Sequence, residues 1–173
     1  MLGLSWGAGP DAVRGRLAGL TPDVSGNAMI WPLTAVTDRL AAEETAVPEA
    51  IAASDRDGDA LRCRFKAKRL VGIEADFGYR FEAIGQNPDT LSDQAMAAIA
   101  RSEWSRLLHQ MSTRYGAPAT LADTQARAGT FQIVGWALIV GQGTAIRVSF
   151  GHDVRGLAGE ISYLPQVSSE AGF

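Results

Sequence analysis

Residues 60–77 read ALRCRFKAKRLVGIEADF, and apolar and charged side chains alternate along both halves of this stretch. Alternation with a period of two is typical of a β-strand that buries one face and exposes the other. We place a turn between the two strands near residues 67–69. The stretch therefore predicts an antiparallel hairpin.

The charges along this hairpin favour one register. If Arg62 pairs with Glu74, the charged side chains share one face, and Phe65 pairs with Val71 on the other. A shift by one residue would mix charged and apolar side chains on both faces. We therefore predict the register that pairs Arg62 with Glu74.

Further helices and strands are predicted outward from the hairpin. Pro10 fits a first helical position, so a short helix is predicted after it. One apolar stripe at helical spacing predicts a long helix over about residues 92–115. Residues 29–57 show no clear period, and no element is predicted there. Apolar or alternating runs bounded by turns predict strands at residues 130–140, 146–150 and 157–164.

The two halves of the chain resemble each other. Residues 58–65 (GDALRCRF) and 143–150 (GTAIRVSF) are identical at four of eight positions. Gly, Asn and Pro within residues 84–90 indicate a linker between the halves. We therefore predict an α+β protein of two helix-plus-antiparallel-sheet units, residues 1–86 and 87–173, related by internal duplication.

The order of elements in the second half resembles a known family. A helix closing on YGAP (115–118), a strand around Trp136, and the segments RVSF (147–150) and GEI (159–161) resemble small outer-membrane assembly lipoproteins of the SmpA/OmlA type. The tandem version is similar to the β-lactamase inhibitory proteins, which carry that α+β unit twice. The resemblance implies a non-enzymatic scaffold that binds another protein through one sheet face.

Composition excludes several classes of protein. The 173 residues are 46% hydrophobic and 20% charged, with a net charge of −3, which does not fit collagen-like, disordered or coiled-coil chains. No apolar stretch approaches the roughly 20 residues of a membrane-spanning helix, and no signal-peptide pattern precedes Trp6. Cys63 is the single cysteine and cannot form an internal disulfide. We therefore expect a cytoplasmic protein.

Candidate catalytic residues are few. The neighbours His152 and Asp153 could act as a general base and its orienting carboxylate, with His109 as another candidate. Cys63 lies on the apolar side of its strand, where a thiol behaves as a small hydrophobic side chain. We assign no catalytic residue, and a small hydrolase or isomerase with a site between the units remains an alternative function.

The acidic segment DRDGD at residues 55–59 invites comparison with calcium-binding loops. In an EF-hand loop that begins at Asp55, the sixth position would be Gly and the twelfth would be Glu. Those positions hold Ala60 and Lys66 here, so the template fails. We predict no metal site and no cofactor, and interpret the segment as a turn.

Five cations lie within residues 62–69, and Arg62, Arg64 and Lys66 share one face of their strand. Together with Lys68, these side chains predict a contact surface for an acidic partner. The alternative is a solvated strand face whose cross-strand ion pairs contribute little individually. Nucleic acid is a weaker interpretation, because no aromatic side chain shares this face.

The four tryptophans fall into two pairs. Trp6 and Trp31 lie near loops and proline, where an exposed aromatic side chain could anchor a partner, so both are candidate partner-binding residues. Core positions are the alternative for these two. Trp104 and Trp136 lie in strongly apolar patterns, which predict that both are buried.

These observations favour a non-enzymatic protein-binding module. The absence of a catalytic motif from the sequence, the two-unit architecture and the family resemblance all point in this direction. An inhibitor or immunity protein that neutralises a specific partner, such as a bacterial toxin, is the expected type. The alternatives are the small hydrolase or isomerase and a nucleic-acid-binding module that uses the basic strand.

Overall fold

The alternating stretches of the sequence become the central strands of one antiparallel sheet. The computed structural model describes residues 2–43, 49–52, 54–123 and 127–166. Within these ranges the α-helices are α1 (Pro10–Arg16), α2 (Leu33–Ala42), α3 (Glu49–Ala52) and α4 (Asp93–Tyr115). The strands are β1 (Asp23–Ser25), β2 (Ala28–Pro32), β3 (Ala60–Lys66), β4 (Arg69–Arg80), β5 (Thr120–Asp123), β6 (Arg127–Ala128), β7 (Phe131–Gly141), β8 (Thr144–His152) and β9 (Gly156–Pro165).

The strands are ordered β1-β2-β3-β4-β9-β8-β7-β5 in the sheet, and β6 also pairs with β7. Every strand pair is antiparallel, so the predicted α+β class is confirmed. The sheet is continuous between β4 and β9, which are joined through eight residue pairs. Two 3₁₀ helices, Phe81–Ile84 and Pro88–Thr90, occupy most of the predicted linker. The division into units at residue 86 remains a prediction.

The register of the β3–β4 hairpin is confirmed over most of its length. Arg62 pairs with Glu74 as predicted, but Phe65 pairs with Leu70 instead of Val71. The reason is a two-residue turn at Ala67 and Lys68, which leaves Val71 as the extra residue of a β-bulge. Two-residue turns with positive φ are favoured in hairpins because they match the twist of the strands.

This turn gives a first prediction. Ala67 and Lys68 have φ of 50° and 60°, in a region that disfavours side chains other than Asn and Gly. The double change Ala67→Asn and Lys68→Gly is expected to raise the free energy of unfolding by about 1 kcal/mol in urea denaturation. Gln142→Asn is the matched control in the β7–β8 turn, where Gly143 already has φ of 73°, and should give a smaller gain. Loss of stability in the double variant would contradict this account of the turn.

The predicted long helix is confirmed as α4. Ser92 is its N-cap, and the Ser92 hydroxyl accepts a hydrogen bond from the Ala95 backbone N–H at 3.2 Å. The apolar stripe of α4 buries Met96, Trp104 and Met111 against β7 and β8. Residues 29–57, for which no element was predicted, contain β2, α2 and α3.

Helices α2 and α4 cover the same face of the sheet. One row of paired residues crosses this face and is almost fully buried: Trp31, Leu61, Ala75, Ile161, Val148 and Ala137. Helix α2 packs over β2, β3 and β4, and α4 packs over β7 and β8. The core therefore lies between these helices and one sheet face. No helix in the described part of the chain is long and apolar enough to cross a membrane.

Candidate functional site

The second face of the sheet carries no helix of the described residues. We call this surface the open face and define it by side chains of β3, β4, β9, β8 and β7. They are Arg62, Arg64, Glu74, Asp76, Ser162, Glu160, Arg147, Ser149, Trp136 and Leu138. Their positions follow from strand alternation, since the residues next to each of them in its strand face the core. The open face is therefore the broad surface on which the fold leaves side chains exposed.

One end of the open face is an ion-pair network. Arg62 Nη1 lies 3.3 Å from Glu74 Oε2 and 3.1 Å from Asp76 Oδ2. Arg64 Nε lies 2.7 Å from Glu74 Oε1. Partial burial opposes the charge of Arg62, but the two carboxylates outweigh it and raise the pKa of this guanidinium. Arg62 and Arg64 therefore match the second interpretation of the basic strand, a solvated face with cross-strand ion pairs, more closely than a contact surface for an acidic partner.

The remaining cations of the predicted basic surface lie at the hairpin turn. Lys66, Lys68 and Arg69 are exposed, and none makes an ion pair with a described residue. Arg62 and Arg64 lie further along the strand, beside their carboxylates. The predicted stripe is therefore divided into a neutralised part on the open face and a free basic turn.

Beside the ion-pair network, the open face contains a groove of about 630 Å³, and Glu74 belongs to both. Trp136, Leu138 and Leu164 supply its apolar walls, and its polar residues include Arg147 and Ser149 together with the carboxylates of Glu74 and Glu160. Apolar and hydrogen-bonding groups thus converge in one concavity, which is the usual composition of a binding site.

Trp136 corrects a prediction, because it is 39% exposed instead of buried. It pairs with Ser149 across β7 and β8, whereas its neighbours Gly135 and Ala137 face the core. Arg147 is exposed, and its side chain makes no ion pair or hydrogen bond with a described residue. The groove therefore combines an exposed indole with a free guanidinium.

The other candidate tryptophans do not lie on the open face. Trp31 is fully buried, and its Nε1 donates to the Leu20 carbonyl at 3.5 Å, so it cannot anchor a partner in this structure. Trp6 is half-buried, and its Nε1 donates to Thr144 Oγ1 at 3.0 Å. The structure brings neither residue together with Arg62 and Arg64. Trp104 is buried as predicted.

The candidate His–Asp pair does not form a catalytic dyad. Asp153 Oδ1 accepts hydrogen bonds from the backbone N–H of Arg155 at 2.8 Å and of Gly156 at 3.0 Å. Asp153 Oδ2 lies 3.2 Å from Arg56 Nη2. Burial alone would raise the pKa of Asp153, but these donors outweigh it and lower the pKa. The carboxylate thus holds the β8–β9 turn and makes no hydrogen bond with either ring nitrogen of His152.

His152 gives a second prediction, on pH. Burial lowers the pKa of His152 although Asp153 and, on α4, Asp93 favour the charged form and Arg101 opposes it. The unfolded chain, with an ordinary histidine pKa of about 6.5, therefore takes up the proton first as the pH falls. The free energy of unfolding is expected to decrease from about pH 6.5 downward.

The measurement is urea denaturation between pH 7.5 and 5.5. His152→Leu should remove most of the decrease in stability, because no proton is taken up at this position. His109→Gln is the matched control, since it leaves His152 intact and should retain the decrease. An equally acid-sensitive His152→Leu protein would contradict the assignment.

Cys63 gives a third prediction. The side chain is fully buried, and burial raises the pKa of its thiol to about 12. Since thiolate is the reactive species, native protein at pH 8 is expected to resist a disulfide reagent such as Ellman's reagent, whereas urea-unfolded protein should react within minutes. Rapid labelling of the folded protein would show an accessible thiol and contradict the buried position.

The acidic segment at residues 55–59 is a turn, as predicted. Asp59 accepts a hydrogen bond from the Gly78 backbone N–H at 2.7 Å and contacts the Ser54 hydroxyl. Asp55 Oδ1 accepts from the Arg80 backbone N–H at 3.0 Å. No cluster of three or more potential metal ligands occurs in the described part of the chain. These carboxylates instead fix the turn against β4.

Comparison of the chain with protein-family models, with characterised proteins and with solved structures finds no match.

Proposed function

We propose that this chain is a non-enzymatic protein-binding module that docks one partner protein on the open face. The single observation that carries the proposal is the groove in which exposed Trp136 stands beside unpaired Arg147. Tryptophan and arginine are the residue types that most often dominate the binding energy of protein interfaces. Five adjacent strands at about 4.8 Å spacing make the face about 20 Å wide, enough for an interface of ordinary size.

The charges of the open face indicate the chemistry of the partner. Arg62 and Arg64 are already neutralised by Glu74 and Asp76. Arg147 is exposed and has no such carboxylate among the described residues. Glu160 lines the same groove, is exposed and makes no ion pair with a described residue. We therefore propose a partner that inserts an apolar side chain between Trp136 and Leu138, places a carboxylate against Arg147 and keeps that carboxylate away from Glu160.

An inhibitor or immunity protein is the type of module that we propose. A sheet face that carries the interface is what the resemblance to the β-lactamase inhibitory proteins implies. A rigid antiparallel sheet holds its contact side chains in place before binding, which reduces the entropic cost of association. Neutralisation of a toxin or an enzyme would follow from covering its active surface.

Internal duplication remains a proposal, and the strand order supports it. The order β2-β3-β4 on one side of the sheet centre is mirrored by β7-β8-β9 on the other. The matched octets begin with glycines of positive φ, Gly58 and Gly143, and continue into β3 and β8. The downstream Leu-x-Gly match does not support duplication, because Gly72 pairs with Arg64 on the open face whereas Gly159 contacts Phe77 in the core.

The test is co-purification from the source cells with three tagged baits. They are the wild-type protein, an open-face variant (Trp136→Ser, Arg147→Glu) and a matched surface variant at the basic turn (Lys66→Glu, Lys68→Glu). One stoichiometric protein is expected with the wild-type and turn baits and should be lost with the open-face bait.

Three results would overturn the proposal. Retention of the same partner by the folded open-face variant would show that the interface does not lie on the open face. Recovery of no partner by any bait would contradict a binding function. Loss of the partner from the turn variant alone would place the interface at the basic turn instead.

A further inference from the structure

A second cavity lies on the core side of the sheet, beneath the N-terminal segment. Its volume is about 180 Å³. The residues that shape it come from the N-terminal segment, the end of α4, and strands β8 and β9: Leu4, Trp6, Tyr115, Thr144, Ile146 and Tyr163. We call this cavity the tyrosine pocket. Exposed Gly3 and Gln142 also line it, so the tyrosine pocket is open to solvent at its rim.

Two phenol groups in the tyrosine pocket lack hydrogen-bond partners. Tyr163 is only 3% exposed, and its hydroxyl oxygen makes no hydrogen bond with a described residue. The same is true of the buried hydroxyl oxygen of Tyr115. The two rings meet edge to face with centroids 6.1 Å apart. A buried hydroxyl without a partner costs free energy. The two hydroxyls are close enough to interact, but a bond between them would use only one of their two O–H donors, so the pocket offers at least one donor to a ligand.

The walls of the tyrosine pocket are held in place by other contacts. Trp6 Nε1 donates to Thr144 Oγ1 at 3.0 Å, which ties the N-terminal segment to β8. The Leu2 carbonyl accepts from Arg16 Nε at 2.8 Å, and the Gly7 backbone N–H donates to the Leu70 carbonyl at 3.0 Å. The cavity is therefore formed before any ligand arrives.

The lining selects a neutral ligand. None of the side chains that line the tyrosine pocket is charged, and the nearby guanidinium of Arg114 lies outside the lining, over the Tyr115 ring at 5.3 Å from its centroid. Burial of an unpaired charge in the pocket would be costly. Burial, and then the adjacent hydroxyl of Tyr115, raise the pKa of Tyr163 well above its usual value although Arg114 opposes them, so the Tyr163 hydroxyl is a neutral donor at physiological pH. Water alone fits poorly, because this volume would hold about six molecules against few polar groups.

We propose that the tyrosine pocket binds a small neutral molecule with an apolar body and one carbonyl group. The carbonyl oxygen accepts hydrogen bonds from the hydroxyls of Tyr115 and Tyr163. A cavity of about 150 Å³ holds benzene, so the pocket encloses about seven non-hydrogen atoms of a ligand, and its open rim leaves room for a substituent. This site lies on the core side of the sheet and is independent of partner binding on the open face.

The test compares two probe molecules of the same shape, acetophenone and isopropylbenzene, of which only the first has an acceptor. Binding is followed by two-dimensional NMR, with the indole N–H of Trp6 as the local reporter. Acetophenone is expected to bind the wild-type protein at least about ten-fold more tightly than isopropylbenzene. In the double variant Tyr115→Phe, Tyr163→Phe, the two affinities should agree within about two-fold.

Tyr79→Phe is the matched control. Its hydroxyl donates to Glu103 at 2.8 Å, outside the tyrosine pocket, so this variant should keep the preference for acetophenone. Equal affinities of the two probes for wild-type protein would overturn the proposal. The proposal would also be overturned if millimolar acetophenone did not shift the indole N–H signal of Trp6 in the wild-type protein. This second test does not depend on the folding of any variant.

Discussion

Gly135→Ala is expected to lower the free energy of unfolding by about 2–3 kcal/mol in urea denaturation. A Cβ atom at this position of β7 would lie 2.2 Å from Trp104 Nε1 and 2.4 Å from its Cε2. Trp104 is 3% exposed and packed in the core, so its indole cannot move aside without displacing α4. The glycine thus sets the distance at which α4 packs on the sheet.

A double-mutant cycle tests this cause. Trp104→Leu removes the clash, so Gly135→Ala should cost at least about 1 kcal/mol less in the Leu background. Gly141→Ala is the matched control on the same strand, because its added Cβ would lie at an ordinary 3.5 Å from the Tyr115 carbonyl. If Gly135→Ala costs the same unfolding free energy in both backgrounds, contact with Trp104 is not the reason that this position requires glycine.

Trp31→Ala is expected to cost about 3–5 kcal/mol of unfolding free energy, because the side chain is fully buried and its removal leaves a large cavity. Trp136→Ala should cost less than about 1 kcal/mol, since 39% of this residue is already exposed. The two variants make the same chemical change on opposite faces of the sheet. Similar losses of stability would contradict the assignment of Trp136 to the open face.

The β3–β4 hairpin could be predicted because its signal is local. Alternation defines both strands, and the opposite charges of Arg62 and Glu74 select the register. The bulge at Val71 could not be predicted, since the two-residue turn that causes it holds ordinary Ala67 and Lys68 instead of the usual Asn and Gly. The hairpin adopts the two-residue turn that matches the twist of its strands, although Ala and Lys disfavour the positive φ that this turn requires.

Helix α2 could not be predicted from its local sequence. Its buried residues recur at helical spacing, but Ala and Thr dilute the apolar stripe: Leu33, Val36, Thr37 and Leu40. This helix packs on β2, β3 and β4, so contacts distant in sequence stabilise it.

The candidate site was predicted only in part. The ion-pair alternative for Arg62 and Arg64 came from the hairpin register, which is a local property. Trp136 was misplaced because β7 is apolar on both faces, and alternation cannot then say which face meets the helices. Its pairing with Ser149 decides the question. The alternation of Arg147 with Ile146 and Val148 was the one sequence signal for the groove.

The most direct test of the central claim is a calorimetric titration of the recovered partner against wild-type protein, Trp136→Ala and Val154→Ala. Val154 is the matched control, because it is 62% exposed and lies on the β8–β9 turn. The account predicts that Trp136→Ala weakens binding at least about 30-fold, as expected for a central aromatic anchor, and that Val154→Ala leaves the affinity within about two-fold. Unchanged affinity of folded Trp136→Ala protein would contradict the claim that the open face is the interface.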